Sequence, residues 1–533
     1  MRTLYGNGLI YPGLPTAREP TSLLVEDGII SWMGQDEDVG GQDEAEWVDL
    51  RGAFVTPAFV DAHVHTTSTG LALTGLDLRA VESARDLLDI IDRAARAGRG
   101  RPILGSGWDE SSWPQPRPPT RAQLDRAAYG GSVYLARVDA HSALTSSALM
   151  SAVPGLAGMN GYQDDGWLQR EAHDAVRRAA HASLTSSQIH QAQLAALEHA
   201  ASLGIACVHE MAGPSISSAN DLEALLRLGS DGQPLPEVVG YWGELFGIAQ
   251  ARELGAAGAG GDLFCDGSLG SHTAALRSPY SDRPDTSGSL RFDTTDLAEH
   301  IVRCARAGLQ AGFHAIGDAA VDQVLEAVDV ATAQLGRPGG AGHRIEHAEM
   351  TADPGRLASS GLLASMQPAF DAVWGGPTGM YADRLGRERA SRMNVFSDLV
   401  RAGVPLAFGS DSPVTTHAPW AAVRAAAHPH EPRAAISPAA AFAAHTRGGW
   451  AASGRAGEGT LTVGAPATFA VWQTAELLEP DARDQAYTPS WPRRSGHARL
   501  PDLSPGVGLP VCLRTVRGGV TIYRGRADVA DGG

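Results

Sequence analysis

Brief apolar runs punctuated by Gly, Pro and Asp open the chain. Leu9-Ile10-Tyr11, Ser22-Leu23-Leu24-Val25 and Ile29-Ile30-Ser31-Trp32-Met33 read as short strands, with Glu26-Asp27-Gly28 as a hairpin turn between the last two. The far end has the same texture, in Thr468-Phe469-Ala470-Val471-Trp472, Val511-Cys512-Leu513-Arg514-Thr515-Val516 and Val520-Thr521-Ile522-Tyr523. Neither group has enough strands to bury a core alone. Together they predict one small, discontinuous β-domain from residues 1–56 and 460–533, with the Pro-rich, charged stretch 474–510 as a surface excursion.

Residues 57–459 change rhythm. Short apolar strands alternate with Ala-, Leu- and Arg-rich stretches whose apolar positions recur near every 3.6 residues, as at 83–97, 187–203, 295–307 and 319–335. The strand candidates begin with Phe59-Val60-Asp61-Ala62-His63-Val64-His65. They continue through 103–105, 133–136, 205–209, 263–265, 310–314, 344–347, 362–366 and 405–409. Alternation on this scale predicts a parallel sheet closed on itself. More than eight candidates are present, so those in an inserted lobe around 100–180 are surplus to the barrel. The predicted class is α/β: a (β/α)8 TIM-like barrel with a small β-sandwich domain built from both termini.

Composition narrows the partners. Hydrophobic residues at 43% and charged residues at 19% describe a globular chain with ample core. A net charge of −17 argues against nucleic acid and anionic membranes, both of which call for a basic face. Four scattered cysteines, Cys207, Cys265, Cys304 and Cys512, suit a reducing compartment. The sequence has no apolar run near the length of a membrane span, so a cytoplasmic location is expected.

The ionisable residues fall at strand ends, where barrels of this kind gather their chemistry. His63 and His65 close the first strand. Residues i and i+2 of a strand share a face, so the two imidazoles aim at one place and can share a zinc-like ion. His314 and His347 close two later strands, and Asp411 follows Phe408-Gly409-Ser410.

This order of residues resembles the amidohydrolase superfamily: His-x-His on the first strand, single histidines on the fifth and sixth, aspartate on the eighth. More narrowly the chain is similar to the YtcJ-like branch, which includes N-substituted formamide deformylases. The matching segments include Gly107-Trp108-Asp109, Val133 to Ala143 with His141, Asp266-Gly267-Ser268-Leu269-Gly270-Ser271, His314 to Asp318, His343 to His347, Gln367-Pro368 and Gly409-Ser410-Asp411-Ser412-Pro413. One departure matters. Where the family pattern resembles Lys-Leu-Phe-x-Asp-Gly, with the lysine carboxylated to bridge two metals, this chain reads Asp262-Leu263-Phe264-Cys265-Asp266-Gly267. Asp262 offers a carboxylate on a far shorter stem, and reaching ions at ~2.0–2.2 Å requires the strand to move inward. The site then holds a single ion, or Asp262 bridges after adjustment, or another carboxylate such as Glu171 does; a single ion or an altered pair is expected. His272 stands where the family more often has arginine.

The resemblance implies a hydrolase that cuts a C–N bond, an amide or N-substituted formamide, in a small molecule. It uses one or two divalent ions, zinc by donor type, held by His63, His65, His314, His347 and Asp411, with Asp262 at the bridging position. Asp411 is the expected general base and His347 its companion at the reacting oxygen. Asp318 and Glu346 are expected to steady imidazole N–H groups. Trp108, Asp109, His141 and His272 are candidates for the substrate pocket. A homodimer is expected from resemblance alone. A mononuclear deaminase of a cyclic amidine, or a non-catalytic binding protein on a degenerate barrel, are the rival readings.

Overall fold

A computed structural model of the chain describes residues 2–525, apart from 15, 17, 41–44, 99, 111–112, 139–141, 231 and 479–498. Two compact units make it up: Met1–His65 with Leu197–Gly533, and Thr66–Ala196.

The larger unit contains an eight-stranded sheet: β1 (Phe59–Val64), β2 (Ile205–Ala212), β3 (Glu237–Trp242), β4 (Gly258–Ala259), β5 (Gln310–Ala315), β6 (Arg344–His347), β7 (Leu363–Met366) and β8 (Leu406–Phe408). Neighbours in chain order pair in parallel throughout. Every residue of β1 and β2 is buried, as expected of strands covered on both faces. At the carboxyl ends the seam between β8 and β1 is laced shut. Asp411 N–H donates to His63 O at 2.8 Å and His65 N–H to Ser412 O at 2.9 Å. Asp61 reinforces it from below, its carboxylate accepting Ser410 N–H at 2.9 Å and His63 N–H at 3.3 Å.

Both termini contribute to the sheets beside the barrel. A five-stranded sheet takes Leu9–Ile10 and Phe54–Pro57 from one end and Phe469–Gln473, Val511–Arg517 and Val520–Arg524 from the other. A four-stranded sheet is wholly N-terminal. Tyr5, Leu23, Val25 and Ile30 of the latter share one buried cluster with Val55, Phe469, Val471 and Val516 of the former. The predicted hairpin joins Ser22–Glu26 to Ile29–Gly34, and Asp27 and Gly28 have φ of 49° and 83°, the two positive angles a tight two-residue turn demands. Of the 474–510 stretch, Leu477–Leu478 pairs with Leu500–Pro501, and 479–498 lie outside the described residues.

The second unit has its own five-stranded sheet, which includes Ile103–Trp108 and Val133–Arg137. These are two of the surplus strand candidates, and the unit that holds them runs from Thr66 to Ala196, wider than 100–180. Two barrel strands differ from expectation. β3 was not among the candidates, because Gly240 breaks its apolar run. A methyl there would stand 2.9 Å from Leu222 and 3.0 Å from Leu226, on the helix Ala219–Ser230 that covers the strand. β4 is Gly258–Ala259, not 263–265. Gly260 and Gly261 end the ladder before Asp262, and only an isolated bridge from Phe264 to His314 follows.

Candidate metal centre

Four imidazoles and two carboxylates converge at the carboxyl ends of the barrel strands, and each ring is fixed by a hydrogen bond on one nitrogen. His63 Nδ1–H donates to Glu346 Oε2 at 2.9 Å and His65 Nδ1–H to Met211 O at 3.0 Å. His347 Nδ1–H donates to Gln367 Oε1 at 2.8 Å, and His314 Nε2–H to Gly267 O at 3.2 Å. Those partners set the tautomers, so that each ring when neutral offers the lone pair of its other nitrogen.

All four lone pairs face Asp262. Its Oδ2 lies 3.5 Å from His63 Nε2 and 3.2 Å from His65 Nε2. Its Oδ1 lies 3.3 Å from His314 Nδ1 and 3.6 Å from His347 Nε2. Asp411 Oδ1 stands 3.6 Å from His63 Nε2 and 3.2 Å from His65 Nε2. His63 Nε2, His347 Nε2 and Asp411 Oδ1 are buried without a hydrogen-bond partner. Buried acceptors turned on one another are costly unless positive charge sits between them. Donor atoms sharing one tetrahedral ion at ~2.0–2.2 Å stand about 3.3–3.6 Å apart, close to the 3.2–3.6 Å found here between ring nitrogens and carboxylate oxygens. The residues fit a divalent cation. Among the described residues, two groups place every donor atom within 4.8 Å: His63, His65 and Asp411, and His63, Asp262 and His347.

The electrostatics agree. Burial works against charge on His65, yet the carboxylates of Asp262 and Asp411 raise its pKa to about 10, and they hold His63 well above its ordinary value. Burial would likewise raise the two carboxyls, but the surrounding imidazoles bring both below the usual range. The pocket is built for positive charge.

Backbone geometry explains how neighbours on a strand reach the same spot. Consecutive strand residues face opposite ways, yet Glu346 and His347 both meet His63. The alternation breaks because His347 and Ala348 have φ of 69° and 49°, and Asp411 has 52°. Left-handed backbone at residues with side chains costs about 1–3 kcal/mol each and clusters at functional sites.

A model of the amidohydrolase family matches residues 46–523. The chain belongs to that family. This amidohydrolase is 27% identical over 460 residues to YtcJ of Bacillus subtilis (strain 168), covering 80% of this chain and 83% of that one. It is 24% identical over 505 residues to the N-substituted formamide deformylase of Arthrobacter pascens, covering 84% and 89%. The crystal structure of an uncharacterized metal-dependent hydrolase from Pyrococcus furiosus superposes with a TM-score of 0.75 at 28% identity, over 88% of this chain and 98% of that one. The amidohydrolase is thus a metal-dependent hydrolase.

The structure brings together His63, His65, His314, His347, Asp411 and Asp262. The other candidates engage different partners. Trp108 is fully buried in the core of the unit Thr66–Ala196, its indole N–H donating to Leu135 O at 2.9 Å. Trp108→Ala is expected to cost about 3–5 kcal/mol, read as a fall in denaturation midpoint. Asp109 is paired with Arg137 at 2.8 Å, and His141 lies outside the described residues. His272 Nε2 pairs with Asp282 at 2.9 Å, and Asp282 also holds Arg384. Glu171 is exposed at a helix start and accepts Asn160 N–H. Asp318 accepts Arg277 N–H at 2.9 Å and steadies no imidazole; that task falls to Glu346, as expected, and to Gln367.

Several site residues had been given no role. Arg344 is fully buried and clamps Glu346 Oε1 at 2.5 Å, Ala62 O at 2.6 Å and Ser365 Oγ at 3.0 Å. A usable signal existed: Arg and Glu two apart on an apolar strand must share a buried face. Asp266, buried, accepts the N–H groups of Ala275, Ile316 and Gly317 and so shapes the loop after β5. Glu349 is buried, with its carboxyl pushed up to about 7 by desolvation, and accepts the Tyr381 hydroxyl. No helix among the described residues is long and apolar enough to cross a membrane.

Proposed function

We propose that this amidohydrolase cleaves the C–N bond of a small N-substituted amide, formamides foremost, by attack of water. The observation that carries the reading is the convergence of four oriented imidazole lone pairs on Asp262, with Asp411 beside His63 and His65. The likeness to a named N-substituted formamide deformylase along most of both chains supports the bond type. A divalent cation, zinc by donor type, supplies polarisation of water and of the carbonyl when bound by His63, His65, His314, His347, Asp262 and Asp411.

The protein's own groups do the rest. Asp411 Oδ1 has no hydrogen-bond partner and is free to accept the proton of the attacking water and return it to the leaving nitrogen. Glu346 and Gln367 keep the rings of His63 and His347 from rotating. An aromatic row suits an apolar substituent on the amide. Phe370 stacks on the His347 ring at 6.0 Å and Trp374, half-buried, packs on Phe370 at 4.7 Å.

Metal-loaded protein is to be offered a panel of N-formyl and N-acyl amines, with cyclic amidines alongside. Release of free amine from an N-formyl compound, lost on chelation and restored by zinc, is the expected result. Turnover of cyclic amidines alone makes it a deaminase. Failure to take up metal after reconstitution makes it a binding barrel.

A further inference from the structure

We infer that Asp262 is itself the carboxylate that joins two cations, one oxygen to each, so that this protein assembles its metal centre without carbon dioxide. The inference rests on the metal-dependent reading above and goes beyond it in the number of ions and the chemistry of their bridge.

The two oxygens of Asp262 divide the imidazoles between them. Oδ2 serves His63 and His65, which also share Asp411, while Oδ1 serves His314 and His347. A carboxylate that completed a single site would need to reach only one cluster of ring nitrogens. Here both oxygens face imidazole nitrogens, Oδ2 those of His63 and His65 and Oδ1 those of His314 and His347, while His63 also stands within 4.8 Å of His347 in donor atoms.

A carboxylated lysine arises when the ε-amine attacks carbon dioxide, forming an N–C bond and releasing a proton. That route is closed throughout this chain, because the 533-residue sequence contains no lysine. All 43 of its basic residues are arginine, whose guanidinium stays protonated and is no such nucleophile. A bridge from the protein must therefore come from an ordinary carboxylate, and Asp262 is the one in reach of both sets.

The short stem is offset by the backbone. A methyl on Gly312 of β5 would lie 2.3 Å from Gly261 N, and one on Gly260 would lie 2.1 Å from Gly312 N. On the other side, a methyl on Gly243, just past β3, would lie 2.7 Å from Asp262 O. Glycines on both flanks let the segment carrying Asp262 sit closer to its neighbours than any side-chain-bearing residue permits. That is the inward movement a shorter ligand requires.

The test is metal stoichiometry on the full chain. Apoprotein is reconstituted with Mn2+ in buffer stripped of carbon dioxide and, in parallel, with added bicarbonate. The expected result is two equivalents in both, with an exchange-coupled electron paramagnetic resonance signal from a bridged pair. Asp262→Asn, checked for its thermal melt, is expected to lose the coupled signal and the second equivalent. One equivalent in wild type, two uncoupled ions, or a second ion taken up only with bicarbonate overturns the inference and leaves the hydrolase reading standing. No bound metal under any condition overturns both. Wild type alone decides if the variant does not fold.

Discussion

Asp411→Asn is expected to lower kcat by about 10²–10⁴-fold, the range general-base catalysis contributes. The fold should survive. The side chain keeps its size, and the link to β1 is made by the backbone N–H of Asp411 to His63 O. The backbone at 411 has φ of 52°, a conformation asparagine tolerates better than most residues. What the change removes is a carboxylate oxygen, Oδ1, 3.2 Å from His65 Nε2. An amide neither takes a proton from water nor carries charge toward a cation. Rates and melting curves measured together decide it: wild-type turnover in the variant removes Asp411 from the mechanism.

Glu346→Gln is expected to cost about 3–5 kcal/mol of stability, because it leaves the buried Arg344 guanidinium without its counter-charge. Both side chains are wholly buried, and Arg344 clamps Glu346 through Oε1 at 2.5 Å and Oε2 at 3.1 Å. Burial alone would push this carboxyl up, but Arg344 and His63 hold it down to about 2 from an ordinary 4.5. A carboxyl depressed in the folded state stabilises above its unfolded pKa, and that contribution fades as pH falls from about 4.5 to about 2. Denaturation midpoints of wild type and variant should therefore differ most near neutral pH and converge in acid. A constant gap across that window would mean that the pair contributes nothing through charge.

Much of the fold was legible because barrel strands announce themselves as short apolar runs, and strand-end histidines stand out against them. The helices at 295–307 and 319–335 fall within one residue of Thr294–Ala307 and Asp318–Leu335. β3 and β4 were hidden by glycine, whose small size serves close packing and erases the apolar signature. In the site, the metal-facing residues were readable by type and position, while Arg344, Gln367 and Asp266 were not, since what they do depends on partners distant in sequence. Trp108 illustrates the reverse: the resemblance offered it for the substrate pocket, and its indole is buried and bonded to Leu135 O. The reach of Asp262 could not be judged from stem length, because the answer lay in the glycines that flank it.

The seam that shuts the barrel has a bearing on biogenesis. Asp61 holds Ser410 across 349 residues of chain, and at about 5–20 residues per second a ribosome takes about 20–70 s to make that stretch. Throughout that interval His63 and His65 wait on a nascent strand with no Asp411 to complete their set. The donor set that includes Asp411 is therefore complete only in a nearly finished chain.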